Sequence, residues 1–151
     1  MSTSQSHSWT RESLQGRIDR SPFNVWLGLE LVDWGEGSIT LALRPRPETL
    51  GHAAINALHG GIIASLVDAG CSLAVVTRTG ASVVTVDMRV DFLRPATAGQ
   101  YTIHAEILRS GRTLATADAT VLGEDGAKVA CGRALLQHIP EFAGENRPRA
   151  D

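Results

Sequence analysis

One apolar segment dominates the pattern of hydrophobic and polar positions along the chain. Residues 60–77 are almost all small or aliphatic, and Asp68 is the only charged residue among them. Arg78 and Gly80 follow, and a basic residue and then a glycine are typical of the last turn and the end of a helix. We therefore predict a long, buried helix that runs from about Gly60 to Gly80.

Strand-like patterns flank this helix on both sides. Turn-forming residues separate the runs of alternating apolar and polar positions, and the Asp125-Gly126 pair is a strong hairpin signal. The predicted strands cover residues 29–34, 38–43, 82–92, 101–108, 113–122 and 128–138. Within 82–92 the even-numbered positions from Val84 onward are apolar. This alternation predicts that they face the helix and that Thr85 lies on the outer, polar face.

One long helix and about five to six antiparallel strands predict an α+β domain in which a curved sheet wraps around the helix.

Two helix-start signals precede the first predicted strand. Thr10 or Ser8 would cap a short polar helix, and Ser21-Pro22 would begin a second helical turn. We divide the chain into a polar, partly helical N-terminal segment (1–20), the α+β domain (21–139) and a flexible C-terminal tail (140–151).

Composition and charge exclude several classes of partner. The 151 residues carry a net charge of −2 with mixed signs, so we expect no nucleic acid and no membrane as partner. The central aspartate argues against a transmembrane role for the apolar segment, and residues 1–8 do not resemble a signal peptide. Cys71 and Cys131 are predicted to be reduced core residues, which favours a cytoplasmic location.

The polar residues of the predicted helix fall on one narrow stripe. At about 100° per residue, Gly61, Ser65, Asp68 and Ser72 lie on the same side. Burial of an unpaired carboxylate is costly. The stripe is therefore expected to face water, a pocket or a partner, and a structural cap or ion pair for Asp68 is the alternative.

The start of the helix is suited to binding a carbonyl oxygen. Gly60 and Gly61 would expose backbone N–H groups at the positive end of the helix dipole, which is the geometry of an oxyanion hole. Alternatively, these glycines only permit a tight entry into the helix. His59 is then either a residue of the site or an N-terminal cap.

His59 and Asp68 cannot serve one reaction centre within a single chain. Nine residues of helix separate them by about 13 Å along the axis. Two copies of the helix that run antiparallel across a twofold axis would bring Asp68 of one subunit to His59 and Gly60 of the other. We therefore predict a homo-oligomer with composite sites, either a dimer or a dimer of dimers (a homotetramer).

Several motifs together resemble the hotdog-fold acyl-CoA thioesterases, and most closely their phenylacetate-degradation (PaaI-like) branch. The motifs are His59-Gly60-Gly61, Asp68, Thr85-Val86-Asp87-Met88, Phe92-Leu93-Arg94-Pro95-Ala96, Gly99 and residues 110–115. The resemblance covers residues 22–138. It implies the hotdog fold and the hydrolysis of a small- or medium-chain or aryl acyl-CoA thioester to free acid and coenzyme A.

The resemblance also implies roles residue by residue. Asp68 matches the family's catalytic acid, which acts across the dimer interface as a base or as a nucleophile. The Gly60 N–H matches the group that polarises the thioester carbonyl. His59 matches the residue that orients this end of the site, and Thr85 matches a hydroxyl that helps to hold the attacking water.

The substrate-binding residues carry less specific signals. The candidates are Asn56, Gly61, Ser65, Ser72, Arg109 and Arg112. Relatives often have an asparagine six residues before the histidine; this chain has Ala53 there, and Asn56 is the candidate replacement. The two arginines flank the turn at 110–111 and either bind coenzyme A phosphates or are solvated.

Other functions remain open from the sequence. A non-catalytic acyl-CoA-binding hotdog protein is the alternative, although a pure binder has little need for a carboxylate on a buried helix. A serine hydrolase is disfavoured because no nucleophile elbow is present, and a hotdog dehydratase because its acid and histidine arrangement is not seen. His52, His59 and Asp68 match no metal motif. No cofactor is expected beyond the coenzyme A of the substrate.

Overall fold

The computed structural model describes residues 8–97 and 99–139. Its helices are α1 (Arg11–Ile18), α2 (Pro22–Leu27) and α3 (Gly60–Thr79). Its strands are β1 (Glu30–Gly35), β2 (Ser38–Leu43), β3 (Leu50–His52), β4 (Ala57–Leu58), β5 (Val83–Phe92), β6 (Tyr101–Ser110), β7 (Leu114–Leu122) and β8 (Lys128–His138). The predicted flexible tail, residues 140–151, lies outside the described residues.

Six strands form one antiparallel sheet in the order β1-β2-β6-β7-β8-β5, and α3 packs across it. The predicted loop before the helix carries two short 3-10 turns and the small β3-β4 hairpin. The predicted α+β arrangement, one long helix wrapped by an antiparallel sheet, is therefore confirmed. The sheet has six strands in its main body.

Apolar packing holds α3 inside the sheet. Leu66, Val67, Cys71 and Val75 are fully buried, and the helix ends at Gly80, whose φ of 67° is the left-handed conformation of a C-cap. By length and composition the helix could cross a membrane, but 61% of its most apolar window is buried within the protein. That burial is what the core helix of a wrapped sheet requires.

The two N-terminal helices begin where the sequence predicts. The Thr10 side chain caps α1 and the Ser21 side chain caps α2, which satisfies backbone N–H groups that a helix start leaves unpaired. Leu14 and Ile18 of α1 are fully buried in the main hydrophobic core. The N-terminal segment therefore packs into the same hydrophobic core as the sheet and α3. The division of the chain at residue 20 stays a prediction.

β5 departs from the alternation that its sequence predicts. Its pairing with β8 shifts register between Thr85 and Asp87, so Val86 is the extra residue of a β-bulge. Val84 and Val86, predicted to face the helix, are 45% and 54% exposed. The prediction that Val84 and Val86 face the helix is therefore wrong. The alternation of apolar and polar residues along β5 does not reveal the bulge, which depends on the pairing with β8.

The bulge changes which side chains of β5 face α3. Before it, Val83 packs against the core and Thr85 contacts α3; after it, Met88 and Val90 pack against the core. Odd-numbered positions thus face inward before the bulge and even-numbered positions after it. The prediction that Thr85 lies on the outer face is therefore wrong.

Both cysteines are free, as predicted. Cys71 is buried on α3, where its thiol donates to the carbonyl oxygen of Ala117 at 3.4 Å. Burial raises the pKa of the Cys71 thiol to about 12, so this thiol stays protonated at neutral pH. Cys131 is only half-buried, rather than being the core residue that its sequence context predicts.

Candidate active site

The polar stripe of α3 lines a groove at the surface of the chain. Ser65, Asp68 and Ser72 are half-buried and face a groove of about 420 Å³. The predicted stripe is thus confirmed as a feature that faces a pocket. Gly61, the fourth member of the stripe, is exposed and is not part of the groove lining.

Asp68 and Thr85 are brought together by α3 and the β5 bulge. The Thr85 hydroxyl donates to Oδ1 of Asp68 at 2.5 Å. Within the part of the chain that the structure describes, no group donates to the second carboxylate oxygen, Oδ2, and no basic side chain forms an ion pair with Asp68. The carboxylate is therefore oriented by one neutral hydrogen bond and keeps an oxygen open to the groove.

His59 caps the start of α3. The ring nitrogen Nδ1 of His59 accepts a hydrogen bond from the Gly61 N–H at 2.9 Å. The backbone N–H of His59 donates to the carbonyl oxygen of Thr49 at 2.9 Å. An imidazole nitrogen that accepts a hydrogen bond carries no proton, so the ring proton of neutral His59 is on Nε2. The alternative that His59 is a cap is confirmed; a direct role in the site stays a prediction.

The two glycines at the helix start differ in what their N–H groups do. The Gly61 N–H is taken by His59, whereas Gly60 is the first helical residue, whose N–H has no intrahelical acceptor. A Cβ on Gly60 would lie 3.5 Å from the Phe92 ring. Of the two predicted donors, only Gly60 therefore offers an unpaired N–H to a ligand.

The remaining polar candidates near α3 have different surroundings. Asn56 is exposed and left-handed, with a φ of 50°, at the end of the Ala53–Ile55 turn. The Ser65 hydroxyl donates to the carbonyl oxygen of Gly61 at 2.8 Å, so it is engaged by the backbone. Ser72 lines the groove one turn beyond Asp68. Substrate contacts of all three stay predictions.

Arg109 and Arg112 are exposed beside the β6–β7 turn. This turn lies at the end of the sheet where β5 begins, whereas Gly60 lies beside Phe92, where β5 ends. The ten residues of β5 extend over roughly 30 Å. The arginines and Gly60 of one chain are therefore far apart, and phosphate binding by these arginines stays a prediction.

No group of three or more histidine, cysteine, aspartate or glutamate side chains that could hold a metal occurs among residues 8–97 and 99–139.

The far wall of the groove is a feature that the sequence did not predict. It is formed by α1 and α2, and the Ser21-Pro22 signal predicts that α2 exists but not where it packs.

Comparison with known proteins decides the family. A sequence model described as the thioesterase superfamily matches residues 55–130. The chain belongs to this superfamily. The medium/long-chain acyl-CoA thioesterase YigI of Salmonella typhimurium is 34% identical over 128 residues, which cover 75% of this chain and 83% of that protein.

Solved structures agree with this assignment to the thioesterases. A protein of the thioesterase superfamily is 42% identical, with a TM-score of 0.81, and the match covers 87% of this chain and 100% of that chain. The Escherichia coli PaaI protein from the phenylacetic acid degradation operon is 22% identical with a TM-score of 0.77, over 85% of this chain and 92% of that chain. At that identity the second match bears on the fold alone.

Three expectations are therefore confirmed. The fold is the hotdog fold, the family is that of the acyl-CoA thioesterases, and the protein is an enzyme, a thioester hydrolase. The alternative of a non-catalytic acyl-CoA-binding protein is not retained.

Proposed function

We propose that this thioesterase hydrolyses small- to medium-chain or aryl acyl-CoA at a centre that combines Asp68 with Gly60 of the partner subunit. The observation that carries the proposal is the hydrogen bond from Thr85 to Asp68, a carboxylate that lines the groove. It orients the only acidic side chain of α3, which lines a ligand-sized groove. The relative named as a medium/long-chain acyl-CoA thioesterase supports the medium-chain part of this range. The small-chain and aryl substrates and the PaaI-like branch rest on the resemblance of the sequence motifs.

The reaction follows from the positions of these groups. The Gly60 N–H of the partner subunit donates to the thioester carbonyl oxygen and stabilises the charge that develops on it. Oδ2 of Asp68 takes a proton from a water molecule whose oxygen bonds to the carbonyl carbon. When the intermediate collapses, the C–S bond breaks and the proton passes from Asp68 to the departing thiolate. Direct attack by Asp68, through an anhydride, is the other route.

Two chains are needed because one helix carries both groups. Gly60 and Asp68 are eight residues apart on α3, which is about 12 Å along the axis. A thioester carbonyl that binds the Gly60 N–H at hydrogen-bond distance therefore lies out of reach of Asp68 in the same chain. Two antiparallel copies of α3 supply both groups to each of two centres.

The sheet edges indicate how the two chains meet. At the β1 edge, the Arg11 guanidinium donates to the carbonyl oxygens of Leu31 and Val32 at 2.7 and 2.8 Å, so this edge is covered. The β5 edge has no partner strand among the described residues, and an unpaired strand edge is a template for another strand. Pairing of two β5 strands across a twofold axis would extend the sheet.

Subunit exchange tests the composite centre. Asp68→Ala and Gly60→Pro each remove one half of the centre, so each homodimer is expected to be inactive. Random exchange makes about half of the dimers mixed, each with one intact centre, and thiol release should recover to about a quarter of the wild-type rate. Differently tagged subunits monitor exchange. No recovery despite demonstrated exchange would exclude a shared centre.

The Thr85 hydroxyl offers a second test of the proposed site. We expect Thr85→Val to lower kcat about tenfold or somewhat more, because a hydrogen bond to a charged group contributes roughly 1.5–3 kcal/mol and the freed carboxylate loses its orientation. Thr85→Ser is the matched control and should stay close to wild type in steady-state thiol release. Equal losses in the two variants would mean that packing, not the hydroxyl, matters at this position.

The proposal extends to assembly, location and cofactor use. A dimer of dimers, a cytoplasmic location and a reaction without a cofactor stay predictions. The free thiols of Cys71 and Cys131 support a reducing compartment. The exposed β5 edge supports at least a dimer.

A further inference from the structure

The groove extends well beyond the catalytic carboxylate. From Asp68 it continues along α3 past Ala69, Leu73 and Val76 toward the C-terminal end of the helix, and it is bordered there by Val83 of β5. Eight helical residues separate Asp68 from Val76, which is about 12 Å. These apolar side chains, interrupted on the helix by Ser72, offer an apolar surface to a chain attached to a carbonyl carbon at Asp68.

The opposite wall of the groove comes from outside the family's shared segment. Arg17, Phe23 and Asn24 line it, and all three precede residues 55–130, which the thioesterase superfamily model matches. The floor of the groove thus belongs to the common catalytic core, whereas the wall belongs to α1 and α2. The wall is therefore a part of the groove that the matched family segment does not supply.

The wall formed by α1 and α2 is held to the core by hydrogen bonds. The Arg17 guanidinium donates to the Ser82 hydroxyl at 2.6 Å at the start of β5. The Asn24 side-chain amide donates to the carbonyl oxygen of Ile18 at 3.3 Å, and Ile18 itself is fully buried. These contacts join α2 to α1 and α1 to the sheet, so the width of the groove is set before substrate binds.

An aromatic stack forms the apolar part of this wall. The rings of Phe23 and Trp26 are stacked, with centroids 5.7 Å apart and an interplanar angle of 19°. The Arg46 guanidinium lies 4.7 Å from the centroid of the Trp26 ring, which holds the stack from its other side. Phe23 is nevertheless 48% exposed, an apolar surface that a ligand in the groove would cover.

We propose that Phe23, supported by Trp26, is the specificity-determining residue that selects the acyl group by its length. The inference rests on the proposed function, because it places the acyl carbonyl at Asp68. An extended chain advances roughly 1.25 Å per carbon, so a 12 Å groove accommodates about nine or ten carbons. The substrate class is therefore a medium-chain acyl-CoA, whose chain lies between Phe23 and α3.

A series of straight-chain acyl-CoA substrates from two to sixteen carbons tests this assignment. Each buried methylene contributes about 0.8 kcal/mol, or roughly a fourfold gain in kcat/KM, so the wild-type value should rise with length and level off near ten carbons. Phe23→Ala should lose about tenfold in kcat/KM at ten carbons, mainly through KM, and the loss should shrink as the chain shortens. Phe23→Trp should move the optimum to shorter chains by narrowing the groove.

Val25 provides the matched control. It is 55% exposed on the same helix and does not line the groove, so Val25→Ala should leave the length profile as in wild type. If kcat/KM of Phe23→Ala followed the wild-type dependence on acyl-chain length in parallel at every length, Phe23 would not be the residue that selects chain length. An inactive wild type, or a fully active Asp68→Ala variant, would instead overturn the proposed function, so the two failures are distinguishable.

Discussion

Replacement of Asp68 by alanine is expected to lower kcat about a thousandfold, within the range of general acid–base catalysis. The loss corresponds to about 4 kcal/mol in the activation free energy. The reason is that Asp68 supplies the only charge on α3 that faces the groove, and its removal leaves the water without a proton acceptor. Steady-state thiol release from a medium-chain acyl-CoA gives kcat and KM separately.

Two further variants separate chemistry from structure at this position. Asp68→Asn keeps an oxygen that can accept from Thr85 but cannot take a proton, so its kcat should fall as far as that of the alanine variant. Asp87 lies on β5 and is exposed in a different groove, so Asp87→Asn is the matched control and should stay active. An Asp68→Asn variant with wild-type turnover would exclude both catalytic roles of the carboxylate.

A single turnover in ¹⁸O-water distinguishes the two routes. If Asp68 acts as a base, the acid formed in the first turnover carries oxygen from the labelled water. If Asp68 attacks directly and water then opens the anhydride at the Asp68 carbonyl carbon, both oxygens of the first acid are unlabelled and the label enters the protein at Asp68. Because opening at the acyl carbon would label the acid as the base route does, label at Asp68 is the outcome that identifies direct attack. Mass spectrometry of the acid and of the peptide that contains Asp68 reads out both outcomes.

Gly60→Pro is expected to lower kcat about a hundred- to a thousandfold, the cost of removing one oxyanion donor. Proline fits here without breaking the helix. Gly60 is the first residue of α3, where a missing N–H costs no intrahelical bond. His59 precedes it with φ −65° and ψ 136°, a conformation that the residue before a proline favours. The substitution therefore removes the donor and retains the fold.

Gly60→Ala is the matched control because it retains the N–H. Its methyl group would meet the Phe92 ring at 3.5 Å, an ordinary van der Waals contact, so kcat should fall by much less than in the proline variant. Thermal unfolding of both variants checks that each is folded. If the proline variant is folded and as active as the alanine variant, the Gly60 N–H is not the oxyanion donor.

Much of the fold follows from local signals in the sequence. The Gly60–Thr79 helix is identified by its continuous apolar character, a cap before it and Gly80 after it, because these signals act within a few residues of each other. The strands follow from period-two patterns bounded by turn residues. The stripe with Asp68 at its centre also follows from helix periodicity alone, and the groove lies on that stripe.

The features that complete the site do not follow from local patterns. A β-bulge is defined by the pairing of β5 with β8, so a pattern read along β5 alone assigns Thr85 to the wrong face. The wall that contains Phe23 depends on the packing of α1 onto the core, which is a tertiary contact. The Gly61 N–H is paired and the Gly60 N–H is not, because the His59 ring is oriented with Nδ1 toward Gly61, an orientation that the sequence does not reveal.

The composite centre that we propose from the eight-residue spacing between Gly60 and Asp68 on α3 has a genetic consequence, and we expect the following pattern of inheritance. A copy of the gene with a defect at only one of these positions is recessive, since a mixed dimer with the normal product retains one working centre. Two alleles with defects at different positions complement each other. An allele with both defects is dominant-negative, because its product places one broken half in each of the two centres of every dimer it joins.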